Sequence, residues 1–492
     1  MTPRLVPILA LTSGLLSAQG IPSRPEQLAF APIRFKTPLA KELKTTLKNG
    51  IPAYLAPSGP EGTPLVRITV SWRGGAYLEP QGKEGLAALA TSQLVQGGTQ
   101  SLAPAQLEDR LEALAATLST AATETSGSLT LQVLDKDLEA GFGLLLDCLL
   151  RPGFAQDRLD LAKRQGRQAL ARRNDDITSI AGTQLGRLLH GDGHFLAAAP
   201  TAASLDGLTR EDLAAHHARL LHPANLVVSA SGAFDRKAML ARLDGTLGVL
   251  KPGPAAQASP KPPAPTFVRK PGIYLVDKEA PQALVSWALP ALRRSDPDWH
   301  AAFVMNQLLG GSGFTSRLMK TIRSNEGLTY GVRTALGPGP YWRGDQTGGL
   351  QTKNRSVAYA LRLALAEMQK LKDAAPSEEE LRVIKEGIVE AFPGQWSGRQ
   401  AVAARFAEEQ LQGWREDWWV DYRERIQAVT PADVQRMARK YLDPDQLVVL
   451  VVGKAAEVEP GDPDHPGTLQ DVLKAPVTRL PLWDPLTLKP LR

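Results

Sequence analysis

The chain has 492 residues, of which 43% are hydrophobic and 22% are charged, proportions typical of a folded globular protein and not of a disordered one. Its 57 basic and 51 acidic residues leave a formal net charge of only +6, and the basic residues are scattered along the chain. This distribution excludes the concentrated basic surface typical of nucleic-acid-binding proteins, so we expect no nucleic acid among its partners.

The first residues have the layout of a secretory signal. Arg4 is followed by an apolar run from Leu5 to Leu16, and then by the small residues Ser17 and Ala18. This order predicts a signal peptide cleaved near Ala18, although a short buried helix would have a similar composition. No later stretch has the roughly 18 uncharged apolar residues of a membrane span. We therefore expect a periplasmic or secreted protein without an integral membrane segment.

The segment Gly85–Thr99, GLAALATSQLVQGGT, predicts an amphipathic helix that ends in a Gly-Gly turn. Its larger apolar side chains recur at helical spacing and would face a core, whereas the neighbouring stripe has only small side chains without catalytic chemistry. The core-facing residues are Leu86, Leu89, Ala90 and Leu94. Further helices are predicted over residues 104–118, 156–173 and 210–221. Short strands separate these helices without strict alternation, which predicts an α+β fold with helices on one face of a largely antiparallel sheet.

An internal repeat divides the chain into two halves. Residues 207–232 and 428–453 match without a gap at a constant offset of 221 residues. Each copy predicts a Thr N-cap, a helix, a Pro-containing turn, a β-branched strand and a final Gly. The matched pairs include Thr209 with Thr430, Pro223 with Pro444, and Gly232 with Gly453. We therefore expect two homologous tandem domains of the same α+β class.

Composition places the domain boundaries around this repeat. We predict a signal peptide at 1–19, an N-terminal domain at 20–250, a Pro- and Ala-rich linker at 251–272, a C-terminal domain at 273–456 and a Pro-rich tail at 457–492. The single cysteine, Cys148, lies in an apolar run and can form no internal disulfide. Its expected role is that of a small hydrophobic core residue.

The seven histidines form no familiar metal-binding motif. His190 and His194 are four residues apart, but the two glycines between them favour a loop, so packing is the expected role and a metal pair the alternative. His216 and His217 are adjacent on a predicted helix and cannot share a face, because successive residues diverge by about 100°. The chain also lacks a complete nucleophile elbow, phosphate-binding loop or dinucleotide-binding motif.

One polar pair stands out in residues 306–332, which predict a helix, a Gly-rich turn, a second helix and a strand. Arg323 is expected at the end of the second helix, and Tyr330 at the start of the strand seven residues later. A guanidinium and a phenol arriving from two elements can both donate to a peptide carbonyl or stabilise an oxyanion. A solvated Arg and a half-buried strand Tyr would have the same spacing.

Together, these features resemble the insulinase or pitrilysin type of zinc metallopeptidase, which includes mitochondrial processing peptidase and is built from tandem α+β halves. The catalytic helix of that family reads Gly-Leu-Ala-His-x-x-Glu-His, followed by a Gly-Thr turn. In this sequence Gly85 begins the matching stretch, but Ala88 and Ser92 stand where the family has its two histidines. Thr91 replaces the general-base Glu.

The resemblance also bears on the remaining zinc ligand, which in the family is a Glu on a later helix. The corresponding stretch here, RQALARRNDDITS, offers Ala169 or its neighbours. The resemblance thus implies a degenerate zinc site in which Ala88, Thr91, Ser92 and Ala169 are not ligands. We expect no metal or other cofactor in this chain.

The second half matches the family more closely, above all over residues 296–332, and the similarity extends over most of residues 45–455. In the family, a paired Arg and Tyr of the second half approach the substrate beside the zinc of another half. Arg323 and Tyr330 match these positions, and the turn Gly310–Phe314 would pass near the substrate or the domain interface. Bacterial members often occur as two chains, of which one carries the zinc motif and the other supplies Arg and Tyr.

The resemblance therefore implies a non-catalytic subunit that pairs with a homologous zinc-bearing peptidase subunit. The zinc would be bound by that partner, and the substrates of the pair would be peptides. We expect no peptidase activity from the chain alone. The alternative is a structural or peptide-binding scaffold of the same fold without an enzymatic partner. An independent enzyme with different chemistry is a third possibility.

Overall fold

Two six-stranded mixed sheets organise the part of the chain that the structure describes, which comprises residue 24 and residues 35–59 and 62–491 of a computed structural model. Both sheets lie in the unit that begins at Thr37. The predicted signal peptide falls outside the described residues. No helix among the described residues has the length and apolar character needed to cross a bilayer.

The N-terminal sheet has the strand order β1-β2-β6-β3-β5-β4. Only the β2–β6 pair is parallel. Its strands are β1 (Lys44–Thr46), β2 (Pro52–Pro57), β3 (Leu65–Arg73), β4 (Thr117–Ala122), β5 (Ser126–Leu134) and β6 (Leu226–Gly232). The helices of this half are α1 (Ala40–Leu43), α2 (Leu86–Gln96), α3 (Pro104–Ala113), α4 (Leu138–Leu150), α5 (Gln156–Ala171), α6 (Ile177–His190), α7 (Ala202–Asp206), α8 (Arg210–Leu220) and α9 (Arg236–Gly245).

The C-terminal sheet has the order β12-β7-β11-β8-β10-β9, with parallel pairs at β12–β7 and β7–β11. Its strands are β7 (Gly272–Asp277), β8 (Gln282–Pro290), β9 (Val332–Gly337), β10 (Asp345–Lys353), β11 (Val448–Gly453) and β12 (Val477–Leu480). The helices are α10 (Trp299–Asn306), α11 (Val357–Asp373), α12 (Glu378–Ala391), α13 (Arg399–Gln412), α14 (Tyr422–Gln427), α15 (Pro431–Tyr441), α16 (Ala455–Val458) and α17 (Leu469–Leu473).

The internal repeat is confirmed by matching local structures in the two halves. The Thr209 hydroxyl caps α8 by accepting from the Asp212 backbone N–H, and the Thr430 hydroxyl caps α15 by accepting from that of Asp433. Both Asp side chains return a bond to the backbone N–H of the cap, which completes a capping box. Each helix is followed by a short turn and then by a central strand, β6 or β11.

The N-terminal core lies on one face of its sheet, where alternate residues of each strand meet helices of the same half. On β3 these residues are Val66, Ile68, Val70 and Trp72, all almost fully buried. Cys148 of α4 is fully buried in the same core, and burial raises the pKa of its thiol to about 12. Its predicted role as a small core residue is confirmed.

The second face of each sheet is covered by a helix from the opposite half, which the sequence did not predict. Helix α13 packs across β2, β3 and β6 of the N-terminal sheet, and α6 packs across β8 and β11 of the C-terminal sheet. Ile180, Ala181 and Leu189 of α6 enter an apolar cluster with Val448 and Leu450. The predicted fold class is confirmed, with the addition that helices cover both faces of the sheets.

Specific contacts hold α13 against the N-terminal sheet. The Tyr54 ring of β2 stacks on Phe406, with ring centroids 6.1 Å apart, and its hydroxyl donates to the Gln410 side chain at 3.1 Å. Arg73 at the end of β3 donates to the Leu411 carbonyl at 2.8 Å. The sheet residues facing α13 on β6 include Ser229, whose small side chain allows the helix to approach closely.

The segment predicted as a Pro-rich tail joins the two halves. Its strand β12 pairs with β7 at the edge of the C-terminal sheet. Beyond it, the Trp483 carbonyl accepts from the Asn174 side chain at 2.7 Å, and the Leu486 carbonyl accepts from the Ala202 N–H at 2.7 Å. The predicted helix over 104–118 is too long, because α3 ends at Ala113 and β4 begins at Thr117.

Removing the Phe406 ring from α13, the helix that packs on the sheet of the opposite half, should destabilise the whole unit. Phe406→Ala would leave a cavity between α13 and the N-terminal sheet, and we expect a loss of about 3–5 kcal/mol in the free energy of unfolding. Urea denaturation followed by circular dichroism measures this loss. Phe314→Ala, at a ring 69% exposed, is the matched control and should change stability by less than about 0.5 kcal/mol. Equal effects of the two substitutions would contradict the packing described.

Candidate functional site

Helix α2 occupies the place of the catalytic helix in the resembled family and is held mainly by packing. Leu86, Ala90 and Leu94 are buried in the N-terminal core. Its N-cap residue, Gly85, has no side chain that could accept a hydrogen bond from the first turn, and the Glu79 side chain caps the helix instead. The Glu79 carboxylate accepts from the backbone N–H of Ala87 at 2.7 Å and of Gly85 at 3.2 Å. Burial raises the pKa of this carboxyl group despite the two bonds.

The four positions predicted to form a degenerate zinc site carry side chains that do not suit zinc. Ala88 on α2 and Ala169 on α5 are exposed methyl groups, and Thr91 is buried. The Ser92 hydroxyl donates to the Leu89 carbonyl of its own helix at 3.0 Å. Zinc in proteins takes imidazole, thiolate or carboxylate ligands, none of which these side chains provide. Among the described residues, no group of three or more His, Cys, Asp or Glu could hold a metal ion.

The histidines considered as a metal pair pack among aromatic rings. His190 ends α6, and its ring centroid lies 5.9 Å from that of His194. The His194 ring stacks near Phe195 and faces the edge of Trp342, and its Nε2 lies 3.2 Å from the Pro263 carbonyl in the interdomain linker. Burial lowers the pKa of His190 to about 4. These contacts favour the packing role expected from the two intervening glycines.

The segment that carries Arg323 is an irregular helical hairpin. Helix α10 continues into a π-helical turn, Gln307–Gly311, and a second π-helical segment, Met319–Asn325, follows. Such π-helical turns are rare and often occur at functional sites. Gly310 is required here because a Cβ would lie only 2.7 Å from the Thr334 hydroxyl on β9. Gly327 ends the second segment with a φ of +63°.

Several bonds hold this hairpin against its neighbours. Arg317 donates from Nε and Nη2 to the two carboxylate oxygens of Glu380 on α12, at 2.6 and 2.7 Å. The Ser316 hydroxyl donates to the Gly313 carbonyl at 2.7 Å, closing the turn before the second segment. The Thr352 hydroxyl of β10 donates to the Leu328 carbonyl at 2.7 Å. The backbone that presents Arg323 and the residues after it is therefore fixed on both sides.

The structure brings Arg323 and Tyr330 together. The guanidinium carbon of Arg323 lies 5.0 Å from the centroid of the Tyr330 ring and 4.4 Å from that of Phe314. The Tyr330 ring is 90% exposed, and Arg323 has no carboxylate partner within 4 Å among the described residues. Two exposed rings thus hold a guanidinium whose charge is not neutralised by an ion pair. Tyr330 lies two residues before β9, and not within it as predicted.

The neighbouring strand β9 is an edge strand, because β10 is its only sheet partner among the described residues. Arg333 and Ala335 are exposed on it, while Val332 and Thr334 are buried. The free edge of an exposed strand can pair with an extended peptide. Arg323 and Tyr330 therefore stand at the start of a possible peptide-binding edge.

Two features of this surface were missed from the sequence. The prediction placed the Gly310–Phe314 turn near the substrate but did not assign the Phe314 ring to Arg323. A second aromatic group, with three tryptophans at 414, 418 and 419, surrounds Arg294. The unusual run WREDWW was its signal in the sequence.

Comparisons with known proteins agree with the resemblance seen in the sequence. Residues 207–388 match the family described as Peptidase M16 inactive domain. The Non-peptidase homolog YmxG of Helicobacter pylori is 30% identical over 271 residues, which cover 55% of this chain and 61% of that protein. The chain thus spans less than two thirds of the length of this relative. The predicted relationship to insulinase- and pitrilysin-type zinc peptidases is confirmed.

Solved structures show the same fold. The peptidase M16 inactive domain from Pseudomonas fluorescens has a TM-score of 0.74 at 22% identity and covers 84% of this chain and 97% of its own. The periplasmic protease PqqL from Escherichia coli has a TM-score of 0.70 at 18% identity, over 92% of this chain and 49% of its own. At these identities the matches establish the two-domain α+β architecture alone.

The buried histidines should make the fold sensitive to mild acid. His217 of α8 is buried, its Nε2 lies 2.7 Å from the Leu149 carbonyl, and burial lowers its pKa from 6.5 to about 4. The unfolded chain therefore binds a proton that the folded chain excludes, so the free energy of unfolding should fall as the pH drops from 6.5 to 4. Urea denaturation at several pH values should show a shallower slope for His217→Gln. Equal free energies of unfolding of the variant and the unmodified protein at pH 8 would show that Gln is tolerated at position 217. An unchanged dependence of stability on pH in the variant would refute the role assigned to His217.

Proposed function

We propose that this M16 peptidase homologue is the non-catalytic subunit of a two-chain zinc metallopeptidase, in which it supplies Arg323 and Tyr330 to the substrate. The proposal is carried by one observation, the exposed stack of Arg323 between Phe314 and Tyr330 beside the free edge of β9. An aromatic ring 90% exposed next to an unneutralised guanidinium favours a surface that becomes covered in a complex.

The two side chains suit contacts with a peptide. The Arg323 guanidinium can donate from its edge to a peptide carbonyl while its faces remain stacked on the rings. The Tyr330 hydroxyl can donate to the same carbonyl or to the oxyanion that develops from it. Strand β9 offers backbone N–H and carbonyl groups for pairing with an extended substrate.

The degenerate helix α2 supports a division of labour between two chains. It keeps the apolar residues that pack in the core and lacks the ligands that zinc requires. In the proposed pair the zinc belongs to a homologous partner, where it would polarise the attacking water. This chain would bind and orient the peptide. Its two halves would form the second pair of domains in the two-chain enzyme.

Activity of the reconstituted pair tests the proposal. The chain should be purified alone and together with a homologue that carries His-x-x-Glu-His and is encoded beside it. We expect activity on fluorogenic peptides only in the complex, with the zinc content following the partner. Arg323→Ala combined with Tyr330→Phe should lower kcat/KM at least about 100-fold, because the loss of a single donor aimed at a developing oxyanion costs about 10²–10³ in known enzymes.

Two further measurements separate the possible outcomes. Lys320→Ala removes an exposed cation from the same helical segment and should leave kcat/KM of the complex unchanged. Undiminished activity of the double variant would refute the substrate contact, and metal-dependent activity of the isolated chain would refute the non-catalytic role. A stable complex without peptidase activity, or no complex at all, would favour the scaffold function.

We extend the proposal to the location of the protein. The basic residue Arg4 and the apolar run after it suit export, and the structurally similar PqqL is a periplasmic protease. Expression of the full chain in a bacterium should yield a mature protein in the periplasmic fraction, and N-terminal sequencing should find its start near residue 19. An intact N-terminus in the cytoplasmic fraction would contradict this prediction.

A further inference from the structure

A second pocket, independent of the proposed pairing, lies between the end of β8 and the segment after α13. It has a volume of about 320 Å³, which falls in the range of small-molecule sites. Its lining includes Arg294, His300, Pro340, Trp414, Trp418 and Arg425. We refer to it as the Arg294 pocket. Neither Arg323 nor Tyr330 lines it.

The guanidinium of Arg294 lies close to three tryptophan rings. Its central carbon lies 3.9 Å from the Trp414 ring centroid and 4.8 Å from those of Trp418 and Trp419. Burial lowers the pKa of Arg294 to about 10, so the side chain remains charged at neutral pH. Stacking occupies the faces of a guanidinium and leaves its N–H groups, which point outward in the plane, for hydrogen bonds.

The edge of Arg294 that is formed by Nε and Nη2 has no acceptor among the described residues, although both atoms are buried. Glu409, whose charge acts on Arg294, accepts at Oε1 from the indole N–H of Trp419 at 2.6 Å, and its Oε2 is buried without a hydrogen-bond partner among the described residues. The same edge of Arg317 binds the two oxygens of Glu380 in this protein. An unpaired edge of this kind therefore fits a carboxylate, which accepts both bonds at once.

Other polar atoms around the pocket, including two indole N–H donors, are also unpaired. The indole N–H groups of Trp414 and Trp418 and the Nε2 of His300 are buried and have no partner in the described part of the chain. The His300 ring stacks on Trp418 with an interplanar angle of 16°. A buried donor without an acceptor costs about 1–3 kcal/mol, so several in one place favour a ligand rich in acceptors. The flat walls favour a planar group beside them.

The charges near the pocket favour an anion. Arg293 and Arg343 line an adjoining cavity that shares Ser295 and Asp296 with the Arg294 pocket. Neither of these arginines has a carboxylate within 4 Å among the residues that the structure covers. Arg425 at the pocket itself is already paired with Asp421. Asp296 on the lining and Glu409, whose charge acts on Arg294, are carboxylates that oppose this positive charge.

We infer that the Arg294 pocket binds a carboxylate attached to a flat ring, either a free aromatic acid or the C-terminus of a peptide that ends in an aromatic residue. The carboxylate would accept from Nε and Nη2 of Arg294, and the ring would lie against Trp414 and Trp418. The positive surroundings would draw the anion to the pocket mouth.

Ligand-observed NMR titration of the full chain tests this assignment with benzoate and its neutral amide, benzamide. We expect saturable binding of benzoate and at least 10-fold weaker binding of benzamide. N-acetyl-Gly-Phe and its C-terminal amide form a second pair, and a preference for this acid over benzoate would identify a peptide end as the ligand. Equal binding of acid and amide within both pairs, or no saturation with either acid, would overturn the inference.

Variants locate the site. Arg294→Met should abolish the discrimination between acid and amide. Arg294→Lys keeps the charge but cannot donate two parallel hydrogen bonds to a carboxylate, so it should weaken benzoate binding at least 5-fold. Trp483→Phe is the matched control, because Arg187 stacks on Trp483 at 4.1 Å beside a cavity of only about 10 Å³. Unchanged benzoate binding in folded Arg294→Lys, or an equal loss in Trp483→Phe, would refute the assignment.

Discussion

Each half of the chain contributes one helix that covers the sheet of the other half, and the rest of the structure depends on this exchange. Each sheet has two faces that must be shielded from water, and the helices of its own half cover only one of them. Helix α13 covers the second face of the N-terminal sheet, and α6 covers that of the C-terminal sheet. Since neither half can bury both faces alone, the repeat folds as one unit in which the linker and the C-terminal segment also cross between halves.

The packing of α2 involves other residues than the exposed positions predicted as part of a degenerate zinc site. The side of α2 that faces the core holds Leu86, Ala90 and Leu94, and its replacement would open a cavity. Two of the positions predicted to form a degenerate zinc site carry little of this packing, since Ala88 and Ala169 are exposed. A substitution at either position would leave the core unchanged.

A different set of contacts holds the segment that carries Arg323 and Tyr330 in the second half. Close packing at Gly310, the bidentate Arg317–Glu380 pair and the bond from Thr352 fix the hairpin against β9, β10 and α12. Arg323 and Tyr330 project from this fixed backbone to the surface. Tyr330 is exposed and Arg323 is partly exposed, so these side chains contribute little to the packing of the core.

The sequence by itself determined the features that depend on local pattern. The Thr N-caps, the central strands of the repeat and the apolar spacing of α2 are each encoded within about 25 neighbouring residues, because capping and helical periodicity are local interactions. That positions 88, 92 and 169 carry Ala, Ser and Ala, whose side chains are not typical zinc ligands, could also be read directly from the sequence.

Only the tertiary structure decided which surfaces meet. The exchange of α6 and α13, the Phe314 ring against Arg323 and the tryptophans around Arg294 join residues from separate elements, in the last case more than 100 residues apart. No local pattern encodes such pairs, since the same amphipathic helix can cover either sheet. The choice depends on the shape of both surfaces once the chain has folded, and this is a property of the packed unit as a whole.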